Sequence, residues 1–178
     1  LILPTIIGNQ SKARIDTLIA KLQQPNLQIN WKNYEKGWFR SHGVLSIKFT
    51  ILDGSQQPLS MNFTSDITLH HGPLILNDGL QFGLLGWQTQ VLPPETLPKT
   101  ISFKDESLYT QKGLLSFLQN IDFEHTTSAL TVTDDVTIKV GAYQGHGTIE
   151  GSTLTYQGAI DQINIEPSTQ MPLPIELK

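Results

Sequence analysis

A two-residue alternation of large apolar and polar side chains recurs along most of this chain of 178 residues. No other feature of the sequence limits the fold as strongly. In the clearest segment the apolar positions are Leu45, Ile47, Phe49 and Ile51, and polar residues separate them. A period of two places each set of side chains on its own face of a β-strand. One face is then buried and the other wetted, which is typical of antiparallel sheets.

The alternating segments follow one another closely, and turn residues separate them. Residues 44–52 and 58–64, with Asp53-Gly54-Ser55 between them, predict a β-hairpin. Further segments continue as far as Ile163 and Ile165 at roughly eight- to twelve-residue spacing. The sequence therefore predicts a large antiparallel meander over residues 27–178.

Two segments have a helical period instead. From residue 5 to 24 an apolar stripe recurs every three or four residues and ends before Pro25. The stripe consists of Ile15, Leu18, Ile19 and Leu22. Residues 111–119 predict a short second helix, with Leu114, Leu115 and Leu118 on one side. The predicted fold is α+β and mainly antiparallel β. One N-terminal helix packs on a curved or sandwich-like sheet, in a single domain over residues 1–178.

Composition narrows the function classes. Charged residues make up 16% of the chain, and cysteine is absent, which excludes disulfides, thiolate metal sites and a cysteine nucleophile. Residues 1–48 carry a net charge of +5 and the remainder −9, counted from Lys, Arg, Asp and Glu. The basic end suits anionic lipid head groups, and the acidic bulk disfavours nucleic acid. A chance fluctuation in surface charge is the alternative.

No pattern of catalytic or metal-binding residues emerges. The histidines are His42, His70, His71, His125 and His146, and none has His-Glu-x-x-His spacing. No serine lies in a Gly-x-Ser-x-Gly elbow, and the glycines of residues 141–151 are too irregular for a phosphate loop. We therefore expect no catalytic residue, no metal, no cofactor and no enzyme activity.

Two signatures carry a resemblance to a known family. One is Tyr34-Glu35-Lys36-Gly37-Trp38-Phe39-Arg40-Ser41, preceded by the helix with Arg14-Ile15-Asp16; the other is His70-His71-Gly72-Pro73 after a strand. Over residues 1–75 the chain resembles the YdgA/YihF-like proteins, bacterial envelope proteins of unknown function. The resemblance implies a periplasmic protein held at the inner membrane by an N-terminal segment before Leu1. It also implies that residues 1–178 are the N-terminal portion of a longer protein.

Two functions follow as hypotheses, and a hydrolase is a distant third. The first is a non-enzymatic envelope module that binds a lipid or another apolar ligand on an apolar concave surface of the sheet. The alternative is a scaffold that holds a partner protein by strand addition. The expected ligand or partner surface consists of Trp38, Phe39, His71 and Trp87. The aromatic residues could instead pack under the helix, and His71 could bond to backbone in a tight turn.

Overall fold

The computed structural model describes residues 3–52, 58–76, 79–94 and 96–167. Helix α1 spans Leu3–Leu22. The strands are β1 (Leu27–Lys36), β2 (Arg40–Leu52), β3 (Pro58–His71), β4 (Leu74–Leu76), β5 (Leu80–Phe82), β6 (Leu85–Leu92), β7 (Ile101–Phe103), β8 (Tyr109–Leu115), β9 (Ile121–Thr127), β10 (Leu130–Thr133), β11 (Val136–Val140), β12 (Tyr143–Glu150), β13 (Thr153–Ile160) and β14 (Ile163–Pro167).

The main body is an eight-stranded antiparallel sheet in the order β1-β2-β3-β6-β8-β9-β12-β13. It does not close into a barrel, and the prediction of a large meander with one N-terminal helix is confirmed. The predicted hairpin is also confirmed, because β2 pairs with β3 from Arg40↔His70 to Leu52↔Pro58. Its predicted turn, Asp53-Gly54-Ser55, lies outside the described residues.

A second, four-stranded sheet has the strand order β14-β11-β10-β7. Each of its strands is the chain neighbour of one strand in the row β13-β12-β9-β8. Backbone hydrogen bonds cross the junction, from the Lys104 N–H to the Ala129 carbonyl (3.0 Å) and from the Gly141 N–H to the Gln162 carbonyl (2.7 Å). The small sheet therefore prolongs one side of the large one.

The pairing registers define two faces of the large sheet. One row of paired residues runs Ser41↔Leu69↔Trp87↔Gly113↔Phe123↔Gly147↔Tyr156. The next row runs His42↔Thr68↔Gln88↔Lys112↔Glu124↔His146↔Gln157. Directly paired residues share a face. We call the face of the first row the apolar face and the other the polar face.

Helix α1 packs on the apolar face at the β1 side of the sheet. The Trp31 indole N–H donates to Asp16 Oδ1 at 2.8 Å, and Lys12 Nζ lies 5.8 Å from the Trp31 ring centroid. Lys12 also bonds Asp16 Oδ2 at 2.7 Å, and this bond, followed by the Trp31 bond, lowers the pKa of Asp16. The helix is therefore oriented by a polar cluster as well as by apolar contact.

That orientation corrects the predicted packing stripe. Ile15 and Ile19 are half-buried, but Leu18 is 58% exposed and Leu22 is also exposed. Ser11, by contrast, is buried. Because the Lys12–Asp16 pair must reach Trp31, the helix presents the line from Ser11 to Ile19 to the sheet and turns Leu18 away.

The predicted helix at 111–119 is wrong. Residues 109–115 form strand β8, which pairs with β6 and β9 on its two sides, and a turn follows. The spacing of Leu114, Leu115 and Leu118 matches a helical period by chance. Two ladders of backbone hydrogen bonds override that weak signal, and Gly113 is a poor helix former.

Candidate strand-addition edge and aromatic face

Trp38 and Phe39 lie in the turn between β1 and β2. Both are about half exposed, and their rings stack on each other with centroids 5.7 Å apart and planes at 12°. Neither ring is enclosed, since about half of each side chain is open to solvent. The hydrogen bond from the His71 N–H to the Phe39 carbonyl (2.7 Å) fixes this turn against the end of β3.

His71 was expected on the same surface, but its side chain is fully buried (0% exposed). Its Nε2 lies 2.8 Å from Ser41 Oγ, and Ser41 is buried as well, so the imidazole bonds a side chain rather than backbone. Nδ1 has no hydrogen-bond partner. Burial is the main cause that lowers the pKa of His71, with His70 and Lys36 adding to it. A group sealed in this way serves packing and cannot contact a partner.

Trp87 lies on the apolar face in the middle of the large sheet. A Cβ added at its cross-strand partner Gly113 would overlap the six-membered ring of Trp87. The six-membered ring of Trp87 therefore fills the space over the glycine. The four predicted residues do not form one surface, because two are in an exposed turn, one is buried and one covers a glycine.

Sequence reasoning missed an aromatic cluster centred on His125, at the β13 side of the apolar face. The ring centroids of Tyr143, Tyr109 and Tyr156 lie 5.6, 5.7 and 5.8 Å from that of His125, and Phe123 lies 6.5 Å away. Tyr156 Oη lies 3.1 Å from His125 Nε2 and also bonds the Tyr143 hydroxyl. The Tyr143 bond is the main cause that raises the pKa of Tyr156 to about 12.

Glycines on the neighbouring strands make room for these rings. Phe123 covers Gly147, Tyr156 and His125 meet over Gly145, and the Tyr143 hydroxyl meets Gly158. The sequence holds the signal for this arrangement in Tyr143-x-Gly145-x-Gly147 and in Tyr156-x-Gly158. Strand register was needed to read it, because ring and glycine belong to different strands.

The outer edge of the sheet is β13. All eight of its residues, Thr153–Ile160, are exposed, and none is charged. It pairs with β12 on one side and with no described strand on the other. Leu154, Tyr156 and Ile160 continue the apolar face to this edge and are themselves 41–60% exposed.

The opposite edge, β1, differs in each respect. It carries Lys32, Glu35 and Lys36, and its register shifts between Trp31 and Asn33. Charges and register irregularities of this kind protect edge strands from unwanted pairing. β13 has neither a charged residue nor a register shift.

Three hollows of the described sheet open on the polar face. The hollow of about 350 Å³ is lined by polar side chains of β3, β6, β8 and β9, among them Gln88, Gln90 and Thr110. Lys112 and Glu124 at its floor form an ion pair at 2.8 Å. Hollows of about 510 and 490 Å³ adjoin it along β9 and β12. The ligand surface was expected to be apolar; polar side chains predominate around the hollows of about 350 and 490 Å³, whereas Leu114 and Phe123 add apolar surface to the hollow of about 510 Å³.

Within the described ranges no group of three or more His, Asp or Glu side chains is placed to hold a metal ion. No helix in the same ranges is long and apolar enough to cross a membrane.

The comparisons give a family without an assigned activity. A family model described as a bacterial protein of unknown function (DUF945) matches residues 1–176. The chain belongs to this family. No curated protein and no solved structure matches the chain.

Proposed function

We propose that this family member is a non-enzymatic binding module of the bacterial cell envelope, and that it holds a partner protein by strand addition at β13. The observation that carries the proposal is an edge strand of the large sheet that has no charged residue and whose eight residues are all exposed. The resemblance of residues 1–75 to envelope proteins supports the location.

The backbone of β13 supplies the first part of such an interaction. In an antiparallel ladder alternate residues direct their N–H and C=O groups outward, so an edge strand is a template for a further strand. An added strand of eight residues would pair with the outward groups along the whole of β13. Main-chain hydrogen bonds of this kind give affinity in strand addition, and side-chain pockets give specificity.

The side chains of β13 supply the second part. Leu154, Tyr156 and Ile160 point to the apolar face and remain wet in the chain alone. A partner strand with apolar residues at alternate positions would cover them at roughly 25 cal/mol per Å² of apolar surface buried. The partner we propose is therefore an extended segment with a two-residue apolar alternation.

The buried Ser41–His71 pair supports a non-enzymatic role. It is a serine hydroxyl within hydrogen-bond reach of a histidine, but both side chains are almost inaccessible to solvent. A substrate cannot reach the hydroxyl without opening the sheet.

Binding of a lipid or another apolar ligand on the aromatic face is the second candidate. The exposure of Tyr156 beside the cluster around His125 favours it. Strand addition fits the geometry better, because the rings already cover the glycines of this face and polar side chains predominate around two of the three hollows above.

A photo-crosslinking residue at Gln157 of β13 tests the proposal in living bacteria. We expect it to trap a protein, and we expect the same residue at Gln28 of the β1 edge to trap much less of it. A Thr155→Lys/Ala159→Lys variant places two charges on the edge and should abolish the crosslink. Gln28→Lys/Asn30→Lys is the matched control and should not.

Equal trapping at both edges, or trapping that survives the β13 charges, would refute strand addition. Mass spectrometry of an organic extract of the purified protein distinguishes strand addition from the second candidate, the binding of an apolar ligand. A bound acyl lipid that the β13 charges do not release would favour the ligand function instead.

A further inference from the structure

Several connections of the fold meet at one end of the large sheet. β1, β3, β8 and β12 end there, and β2, β6, β9 and β13 begin there, because neighbouring strands are antiparallel. The connections at this end are residues 37–39, the β4–β5 hairpin, residues 116–120 and residues 151–152. We call it the loop end.

Helix α1 also begins at the loop end. Ser11 and Ile15 line a hollow together with Leu85 and Leu115, which lie at the loop ends of β6 and β8. At the other end of the helix, the Ile29 N–H donates to Gln23 Oε1 at 3.2 Å. The helix therefore runs away from the loop end as the chain proceeds.

The fourth of these connections, Gly151-Ser152, is short and polar, but large apolar side chains are exposed on the other three. They are Trp38 and Phe39 in the first, Leu74, Leu76, Leu80 and Phe82 in the hairpin, and Phe117 and Leu118 in the third. Their exposed fractions range from 49% to 83%. Two described connections at the opposite end contrast with them, since 24–26 is Gln-Pro-Asn and 134–135 is Asp-Asp.

The β4–β5 hairpin shows that this exposure is not a sign of loose structure. Ile75, the middle residue of β4, is fully buried against Gly86 on the polar face, while Leu74 and Leu76 on either side are exposed. The hairpin is anchored by one apolar residue and presents its neighbours to solvent.

We propose that the loop end docks on the surface of a lipid bilayer that contains anionic lipids. Separate apolar tips on neighbouring loops do not form a groove for a peptide, but they suit the boundary between head groups and acyl chains. Tryptophan is enriched at that boundary. Lys36 and Arg40 flank the Trp38–Phe39 tip, and basic residues next to a membrane attract anionic head groups.

Charge sets the orientation of the docked sheet. The acidic residues Asp122 and Glu150 lie at the loop ends of β9 and β12, on the far side of the sheet from Lys36 and Arg40. The β1–β2 corner should therefore lie deeper, and the β13 edge should stand clear of the head groups. Docking does not depend on what binds β13.

Sedimentation with phosphatidylcholine vesicles, with and without phosphatidylglycerol, tests the proposal on the purified chain. We expect binding that is stronger with phosphatidylglycerol and weaker at high salt. Trp38→Ser/Phe39→Ser should weaken it roughly tenfold or more, because two large apolar groups no longer leave water. Leu76→Ser/Leu118→Ser should also weaken it.

The matched control is Ile163→Ser/Ile165→Ser. These isoleucines are as exposed as the tip residues but lie on β14 of the small sheet, away from the loop end. Circular dichroism checks that each variant keeps its strand content. An equal loss of binding in the control, or no binding of the unaltered chain to either vesicle, would overturn the proposal. Loss of the β13 crosslink with vesicle binding intact would count against the proposed function alone.

Discussion

Gly113→Ala provides a quantitative test of how the apolar face is filled. The Trp87 ring occupies the position of the added Cβ, and the neighbours of a half-buried ring on a hydrogen-bonded sheet cannot move freely. Overpacking of this kind typically costs about 1–3 kcal/mol. Gly113 does not have a positive φ, so its backbone conformation is open to alanine. Alanine lowers the conformational entropy of the unfolded chain, and this stabilises the folded protein by about 0.4–1 kcal/mol. We expect a net loss of about 1.3 kcal/mol in the free energy of unfolding, which is the difference between the midpoints of these two ranges.

A double-mutant cycle isolates the cause. In a Trp87→Ala background the ring is gone, so Gly113→Ala should cost nothing or stabilise by about 0.4–1 kcal/mol. Urea unfolding followed by circular dichroism measures all four proteins. If Gly113→Ala costs the same in both backgrounds, or costs nothing in the unaltered chain, the ring does not lie over the glycine as described.

Three further predictions concern packing and protonation. Ile75→Ala should lower the free energy of unfolding by about 2–5 kcal/mol in urea melts, whereas Leu18→Ala, at an exposed position, should cost well under 1 kcal/mol; equal losses would refute the orientation of the helix or the anchoring of the hairpin. Burial lowers the pKa of His71 below its ordinary 6.5, so the unfolded chain takes up the proton first as the pH falls. Stability should therefore decline below about pH 6.5, and less steeply in His71→Gln; unfolding that is independent of pH between 7 and 5 would contradict a buried neutral imidazole. In an absorbance titration one tyrosine should ionise near pH 12, and Tyr143→Phe should move that transition back toward 10; an unchanged transition would exclude the Tyr143–Tyr156 bond as its cause.

The sequence was informative where side-chain alternation alone decides the structure. It predicted the β2–β3 hairpin and a strand at residues 121–123 because apolar side chains at every second residue lie on one buried face only in a β-strand. It failed at residues 111–119, where three leucines fit a helix and only pairing with β6 and β9 made a strand. It also placed Leu18 in the core, since the polar cluster of Lys12, Asp16 and Trp31 that rotates the helix joins residues distant in the chain.

Most of the candidate site could not be predicted for the same reason. Which strand is the edge, and which glycine faces which ring, follow from the order of strands in the sheet. Strands β9 and β12, for example, are neighbours in the sheet although β10 and β11 lie between them in the chain. The burial of His71 likewise depends on Ser41, thirty residues away, reaching it from the neighbouring strand.

Residue-resolved amide hydrogen exchange along Thr153–Ile160 tests the central claim most directly. In the free chain we expect alternate amides of β13 to be protected by β12 and the others to exchange rapidly, because their N–H groups point outward. When the protein trapped at Gln157 is added in pure form, the rapidly exchanging amides should become protected. Protection of every β13 amide in the free chain, or a partner that leaves the rapid ones unchanged, would contradict strand addition at this edge.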